Sequence, residues 1–185
     1  MLTKVIFSGF GGQGVLMMGY LLAVAGMRDG LHVTYLPSYG AEVRGGTANC
    51  TVSISDEEIA SPVASFPDYV IAMNKPSLIR YEGQIKAKGT LLLNSDLIDI
   101  EPTRKDIVVF KIPANTIARK LRSERILNMI MLGALAGATK ITRIDSLMNA
   151  LAEVVKGKKA RLMEINRKGL EMGAAHILKG DGRCP

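Results

Sequence analysis

The chain has 185 residues, a net charge of +7 and 48% hydrophobic residues. That is enough for one domain with a sizeable core. No apolar run approaches the ~20 residues that span a bilayer, so a membrane protein is excluded. Two cysteines, Cys50 and Cys184, lie far apart with no CxxC and no nearby histidine, which excludes a sequence-recognisable zinc or iron–sulfur site and points to a reducing compartment, the cytoplasm.

Residues 4–8 (Lys-Val-Ile-Phe-Ser) form a short β-prone run that breaks into Gly9-Phe10-Gly11-Gly12-Gln13-Gly14, followed by helix formers over 15–26. Strand, glycine turn and helix open a mononucleotide-binding βαβ unit. Gly9, Gly11 and Gly14 fit G-x-G-x-x-G. Glycine lets the backbone approach a ligand closely, and the free N–H groups of the helix start favour an anion. A dinucleotide site also wants a carboxylate at the end of the second strand. Here that strand, 32–36, runs into Pro37-Ser38-Tyr39, and Glu42 lies well beyond it. Gln13 sets an amide at the mouth of the turn. A turn that merely closes a helix onto a strand remains the alternative. The apolar start of the chain is interrupted by the glycines and does not read as a signal peptide.

Gly30 is placed to end the first helix. After strand two comes the segment Pro37-Ser38-Tyr39-Gly40-Ala41-Glu42-Val43-Arg44-Gly45-Gly46-Thr47, long for a βα connection and therefore a functional candidate. Arg44 can clamp a carboxylate or phosphate, or simply pair with Glu42 on an exposed turn. Residues 48–54 alternate like a strand, with Cys50 as an inert core thiol. Asp56-Glu57-Glu58 marks a turn, and 59–63 a short extended piece. Residues 69–73, 89–94 and 106–110 read as central strands covered on both faces. Asn74 and Pro76 begin one helix, and residues 113–116 another.

The last third reads as wholly helical. Residues 126–137 are apolar on nearly every face, with Gly133 and Gly137 one turn apart and Asn128 in need of a hydrogen-bond partner. Thr142 and Asp145 resemble a capping box ahead of an apolar stripe through Ile144, Leu147, Met148, Leu151 and Val155. Gly157 follows, inside the basic turn Lys156-Gly157-Lys158-Lys159, and 160–178 form a final helix with Leu162, Ile165, Met172 and Ile177 partly inward. Residues 101–185 carry seventeen Lys/Arg against eight Asp/Glu, which suggests an acidic or phosphorylated partner; without aromatic interleaving or a motif, nucleic acid is not expected. His32 and His176 have no metal-ligand spacing and are expected in core-like or terminal positions. No nucleophile motif and no Walker lysine appear. Gly180-Asp181-Gly182 has too little chain after it for a thiamine-diphosphate motif. The expectation is an α/β fold, Rossmann-like, with a mostly parallel sheet, helices on both faces and a helical C-terminal third, in one domain over 1–185.

A glycine turn without chemistry of its own suggests a subunit, and two stretches point to which. Gly9-Phe10-Gly11-Gly12-Gln13-Gly14-Val15 resembles the G-x-G-G-Q-G-V signature of the gamma subunit of 2-oxoacid:ferredoxin oxidoreductases. Ser38-Tyr39-Gly40-Ala41-Glu42-Val43-Arg44-Gly45-Gly46 resembles that family's S-Y-G-x-E-x-R-G-G. Ser61-Pro62, Asn128 with Leu132-Gly133-Ala134, and Lys156-Gly157-Lys158 follow in its usual order. The resemblance implies a complex with alpha, beta and, where separate, delta subunits. It oxidatively decarboxylates a 2-oxoacid to acyl-CoA with thiamine diphosphate, Mg²⁺, [4Fe–4S] clusters and coenzyme A, and reduces ferredoxin. It further implies a gamma part holding neither thiamine nor cluster, of the 2-oxoglutarate or general ketoacid branch, with the pyruvate, branched-chain and indolepyruvate enzymes as relatives. No catalytic residue and no metal ligand is expected in this chain. Gly9, Gly11, Gly12, Gln13 and Gly14 are the expected ligand or interface turn, with Gly11, Gly12 and Gln13 as donors. Tyr39, Gly40, Glu42, Arg44, Gly45 and Gly46 are the expected intersubunit or coenzyme A contact. A free-standing nucleotide-binding module and a pure scaffold subunit are the alternatives, and a face made for alpha could pair two copies of the isolated chain.

Overall fold

The computed structural model describes residues 1–39, 46–155 and 160–180. Its elements are β1 (Thr3–Phe10), α1 (Val15–Arg28), β2 (His32–Tyr39), β3 (Thr47–Ser55), β4 (Tyr69–Ala72), α2 (Lys75–Tyr81), β5 (Thr90–Asn94), β6 (Val108–Ile112), α3 (Ala114–Lys120), α4 (Leu127–Thr139), α5 (Ile144–Val154) and α6 (Ala160–Leu178). The six strands form one sheet in the order β2-β3-β1-β4-β5-β6. β1, β4, β5 and β6 are parallel neighbours, and β3 runs antiparallel between β1 and β2. Five strands therefore share one direction, as the α/β reading expects.

The continuous apolar runs of β4 and β5 divide between two cores. Ile71 and Leu92 face the larger one, under α1 and α4; Val70, Ala72, Leu91 and Leu93 face the smaller one, under α2. Helices cover both faces, so both sides of these strands need apolar residues. β3 has another pattern: Cys50, Val52 and Ile54 point into the larger core, while Asn49, Thr51, Ser53 and Ser55 occupy the opposite face. That alternation suits an antiparallel strand with one polar face.

Three local expectations are corrected. β2 does not stop at Leu36 but continues to Tyr39, with Pro37 opposite Cys50. An edge strand tolerates the missing N–H of proline. The segment after it joins two antiparallel strands, so it is a hairpin connection rather than a βα loop; residues 40–45 lie outside the described residues. The capping box at Thr142 and Asp145 is not formed. Arg143 is the N-cap of α5 without a side-chain cap bond, and Asp145 instead pairs with Arg167 Nη1 of α6 at 3.0 Å. A cross-helix guanidinium offers Asp145 a charged partner in place of one backbone N–H.

Other helix signals hold. Asn74 Oδ1 accepts from Ser77 N at 3.0 Å, with Pro76 in the first turn of α2. Asp29 and Gly30 (φ 79°) close α1. Along α5, Leu147, Met148 and Leu151 are buried, with Ile144 and Val155 packed against the same core. α4 is buried almost all round and crosses α6 at a very short distance: a Cβ on Gly133 would overlap Leu170 O, and one on Gly173 would overlap Ile130 O. The basic turn 156–159 and residues 181–185, with Cys184, lie outside the described residues.

Candidate functional site at the glycine turn

β1 delivers the glycine turn to the carboxyl edge of the sheet, between strands whose connections diverge. The chain leaves β1 through α1 toward β2, and leaves β4 through α2 toward β5. That divergence is a topological switch point, the usual place for a ligand crevice in an α/β sheet.

The turn is held by its own side chains. Gln13 N donates to Phe10 O at 3.1 Å, and Phe10 N donates to Gln13 Oε1 at 2.7 Å. Gln13 therefore holds Phe10 from both sides, its backbone N–H on the Phe10 carbonyl and its side-chain oxygen folded back onto the Phe10 N–H. Gly9 has no room for a side chain: a Cβ there would lie 2.5 Å from Gln13 Oε1 and 2.8 Å from both Met73 Cβ and Val15 Cγ2. Gly11 N donates to Gly46 O at 2.9 Å. This corrects the expectation that Gly11 offers a donor to a ligand, because its N–H is spent on tying the turn to the start of β3. The same bond joins Gly11 to a residue more than thirty positions later in the sequence. Tyr39 pairs with Ala48 in the ladder; Gly40, Glu42, Arg44 and Gly45 lie outside the described residues.

The remaining donors find no acceptor among the described residues. α1 begins after Gly14, whose left-handed backbone (φ 73°) serves as N-cap without a side-chain bond. The first N–H of the helix with an acceptor is that of Met18, bound to Gly14 O at 3.1 Å. Among the described residues, nothing accepts from the N–H groups of Gly12, Gly14, Val15, Leu16 or Met17. They open on a hollow of about 280 Å³ lined by Phe10, Gly12, Gly14, Met17 and Ala48. A second hollow of about 510 Å³, between Leu121, Arg122 and α6, is larger but shares no lining residue with it. Of its two cations, Lys168 is paired with Glu164 at 2.6 Å, while Arg122 stands at its rim beside Ser123. The donor geometry, not the size, makes the glycine hollow the candidate site.

Asparagines recur along this edge. Asn74 Oδ1 takes bonds from Ser77 N and Ser77 Oγ, and Ser8 Oγ joins Ser77 Oγ at 2.9 Å. Asn94, fully buried at the end of β5, donates from Nδ2 to Asn115 Oδ1 at 2.9 Å and accepts from Ala114 N at the start of α3. Asn128 Oδ1 accepts from Met129 N at 3.0 Å, while its Nδ2 faces Gly14. The reading that Asn128 needs a partner is thus answered at its oxygen. Asn94 was not singled out from the sequence, where it looks like an ordinary polar end to an apolar strand.

Titratable groups are few here. Burial pushes the Cys50 thiol up to about 12, as suits a core thiol whose Sγ lies 3.6 Å from Val15 O. His32 is exposed at the start of β2, contrary to a core-like place, and His176 is half-buried with Nε2 3.0 Å from Lys111 O. Among the described residues, no three of His, Cys, Asp and Glu stand together in a way that could hold a metal ion. Cys50 stands alone and buried, so the described residues do not fit a cluster or a Mg²⁺–diphosphate site. No helix among them is long and apolar enough to cross a membrane.

The family model described as pyruvate ferredoxin/flavodoxin oxidoreductase matches residues 4–176. The chain belongs to that family. Among its relatives is a ketoisovalerate oxidoreductase subunit, VorA, of Methanothermobacter marburgensis, 38% identical over 174 residues. The match takes 93% of this chain but 36% of VorA, so the chain spans about a third of that relative's length. The 2-oxoglutarate synthase subunit KorC of the same organism is 37% identical over 84% of this chain and 87% of its own length. The crystal structure of a keto/oxoacid ferredoxin oxidoreductase gamma subunit from Geobacter sulfurreducens is similar with a TM-score of 0.81 and 28% identity, over 96% of this chain and 99% of that one. A 2-oxoglutarate:ferredoxin oxidoreductase from Magnetococcus marinus, with 2-oxoglutarate, coenzyme A and succinyl-CoA bound, gives a TM-score of 0.86 and 26% identity over 94% of this chain and 30% of that chain. Within this oxidoreductase family the same domain thus occurs both as a short chain and as part of a longer one. A dinucleotide-binding module is not favoured: β3 lies where that fold places its second strand beside β1, and no carboxylate ends β2.

Proposed function

We propose that this chain is the gamma-type subunit of a 2-oxoacid:ferredoxin oxidoreductase that oxidatively decarboxylates 2-oxoglutarate or a related ketoacid to the acyl-CoA. It contributes no catalytic residue. Thiamine diphosphate, Mg²⁺ and the [4Fe–4S] clusters are held by the alpha, beta and delta-type partners, and ferredoxin takes the electrons from the assembled complex in the cytoplasm. The glycine turn and the hairpin connection after β2 face the alpha-type partner and enclose the coenzyme A side of its site. What supports this reading is the bond from Gly11 N to Gly46 O, which ties the glycine turn to the residue just before β3, in a chain matching the family over residues 4–176.

The test is affinity purification of the chain from its native host under anaerobic conditions, with mass spectrometry and oxoacid-dependent ferredoxin reduction on the recovered material. Thiamine- and cluster-binding chains are expected near equal stoichiometry. Recovery of the chain alone, or as a pair of copies, overturns the subunit reading. In the active complex, Arg44→Ala is expected to weaken assembly or raise the KM for coenzyme A; wild-type values for both would remove Arg44 from the interface.

A further inference from the structure

We propose that the groove between the end of α3 and the first half of α6 docks an acidic segment of another protein, held by the cations of residues 119–125 over an apolar floor. This goes beyond the reading above, which concerns the glycine turn. The groove shares no lining residue with that hollow.

The sequence concentrates charge here. Residues 119–125 read Arg-Lys-Leu-Arg-Ser-Glu-Arg, four cations against the single acid Glu124. α3 ends at Lys120, and Arg122 turns the chain with left-handed backbone (φ 51°). Arg119, Lys120, Arg122 and Arg125 are all exposed. None of these four side chains makes a hydrogen bond or ion pair among the described residues. Other surface cations are matched: Arg28 with Glu153, Lys75 with Asp99, Lys86 with Asp68 and Arg167 with Asp145. A run of cations alone is no more than a solvated face. The second observation is the groove beside it, of about 510 Å³. Leu121, Leu162 and Ile165 give it apolar lining; Arg122 and Ser123 stand on one wall, Glu164 and Lys168 on the other. Leu162 is 38% exposed. Lys168 holds Glu164 at 2.6 Å, so the acid of the α6 wall is matched within its own helix and leaves the cations across the groove uncompensated.

The chemistry of the occupant follows. Apolar lining beneath uncompensated cations fits apolar side chains flanked by carboxylates, the apolar centre and charged rim of a protein interface. A small anion would meet Arg122 but leave Arg119, Lys120 and Arg125, which lie outside the lining, without a partner. Nucleic acid matches the charge but not the floor, because no aromatic side chain lines the groove for a base to stack on. A second copy of this chain brings +7 of its own. Carboxylates set against the basic turn steer the encounter and fix its register, while the apolar contacts supply area.

The experiment places a photo-reactive cross-linker at Glu124, which is exposed and does not line the groove, by Glu124→p-benzoylphenylalanine in the full-length chain. The chain is expressed in its native host and irradiated in the cell, and mass spectrometry reads the joined peptide. The expected adduct is one segment of another protein in which Asp and Glu outnumber Lys and Arg. Reversing charge at Arg119→Glu, Arg122→Glu and Arg125→Glu together is expected to lower its yield at least tenfold, and Leu162→Ser at least threefold, with melting temperatures within a few degrees of wild type. Should the triple variant unfold, the reciprocal change decides: lysines in place of the carboxylates of the recovered segment are expected to lower the yield with the unreversed chain at least tenfold. An adduct with a neutral or basic segment, with nucleic acid or with a second copy of this chain overturns the proposal. So does a yield that survives the charge reversal or Leu162→Ser, or one no higher than with the same cross-linker at the exposed Glu57. The anaerobic purification above is decided by thiamine- and cluster-binding chains, whatever this groove captures, so the two readings fail separately.

Discussion

Gly12 and Gly14 both hold left-handed backbone, at φ 98° and 73°, but only Gly14 is also blocked, by the Asn128 side chain. Alanine at Gly12 therefore meets backbone strain alone, on the order of 1–2 kcal/mol. Alanine at Gly14 adds the displacement of a buried carboxamide. Thermal denaturation is expected to show a clearly larger drop for Gly14→Ala than for Gly12→Ala; equal drops would mean that Asn128 does not abut the turn. The need for glycine at these positions was legible in the sequence, because the spacing itself is a backbone signature. The use made of each was not. Gly11 looks the same as Gly12 in a motif, yet its N–H is spent on Gly46 O, a partner known only once β3 is placed beside β1. Cys50 tests burial at the same scale. With its thiol pushed up to about 12 by burial, it stays protonated and is expected to resist alkylation at pH 8 in the native chain, reacting only in denaturant. Peptide mapping that found Cys50 modified in the native chain would contradict its place against Val15. The linkage has a sign: an unfolded thiol ionises near pH ~8.5 while the native one does not, so its effect on stability is flat below that value and unfavourable as the pH rises toward about 12.

Between elements, the crossing of α4 and α6 depends on backbone meeting backbone. Gly133 touches Leu170 and Gly173 touches Ile130, each through a carbonyl that cannot move without its helix, whereas a Cβ on Gly169 would meet Met129 Cβ at 3.2 Å. Overpacking costs typically ~1–3 kcal/mol, more where the blocking atoms are backbone. Gly133→Ala and Gly173→Ala are accordingly expected at or above the top of that range, and Gly169→Ala below both, offset by the better helix propensity of alanine. Urea unfolding midpoints give the order, and a stabilising Gly133→Ala would contradict the close crossing. The glycine pair in α4 was readable because it interrupts an otherwise apolar helix. Gly169 and Gly173 were not, since in the amphipathic pattern of α6 they look like weak points rather than contacts. Strand existence was legible from runs such as Leu91-Leu92-Leu93, but strand order was not. Alternation in residues 48–54 places a side chain on one face or the other and is silent about the neighbour. The return of β3 between β1 and β2 is a long-range outcome, and it turned an apparent βα loop into a hairpin. The capping box failed for a related reason, because Arg167 arrives from another helix.

Across the whole molecule, apolar burial is unequal. The large core lies under α1, α4, α5 and α6, while large apolar side chains stay in the open at several places: Leu2, Val63 and Phe66 line one hollow, and at the carboxyl edge Phe10 and Met17 are each 37% exposed and Tyr20 is 45% exposed. Phe10 and Met17 rim the glycine hollow, and Tyr20, one turn beyond Met17 on α1, packs edge-on against Tyr35. Single exposed apolar residues need no explanation, but three together around a site with unpaired donors suit a surface that a partner covers. If the alpha-type partner docks at this edge, replacing Phe10 and Met17 together by serine removes contact area in the complex and little in the free chain, where both side chains already meet water. The double variant is expected to melt within a few degrees of wild type and to recover at least tenfold less partner in the anaerobic purification. Leu132→Ala is the contrasting control: fully buried in α4, it should cost about 2–5 kcal/mol and lower the yield of the chain itself. Partner recovery unchanged in the serine variant would move the interface away from the glycine turn, to the helical side or to the polar face of β3. The hollow would then have to be filled by a ligand without a partner closing over it. An unchanged melting temperature with lost partner would place the assembly surface at the glycine-turn edge, so that closing the complex would also shield the N–H groups of the first turn of α1 from water.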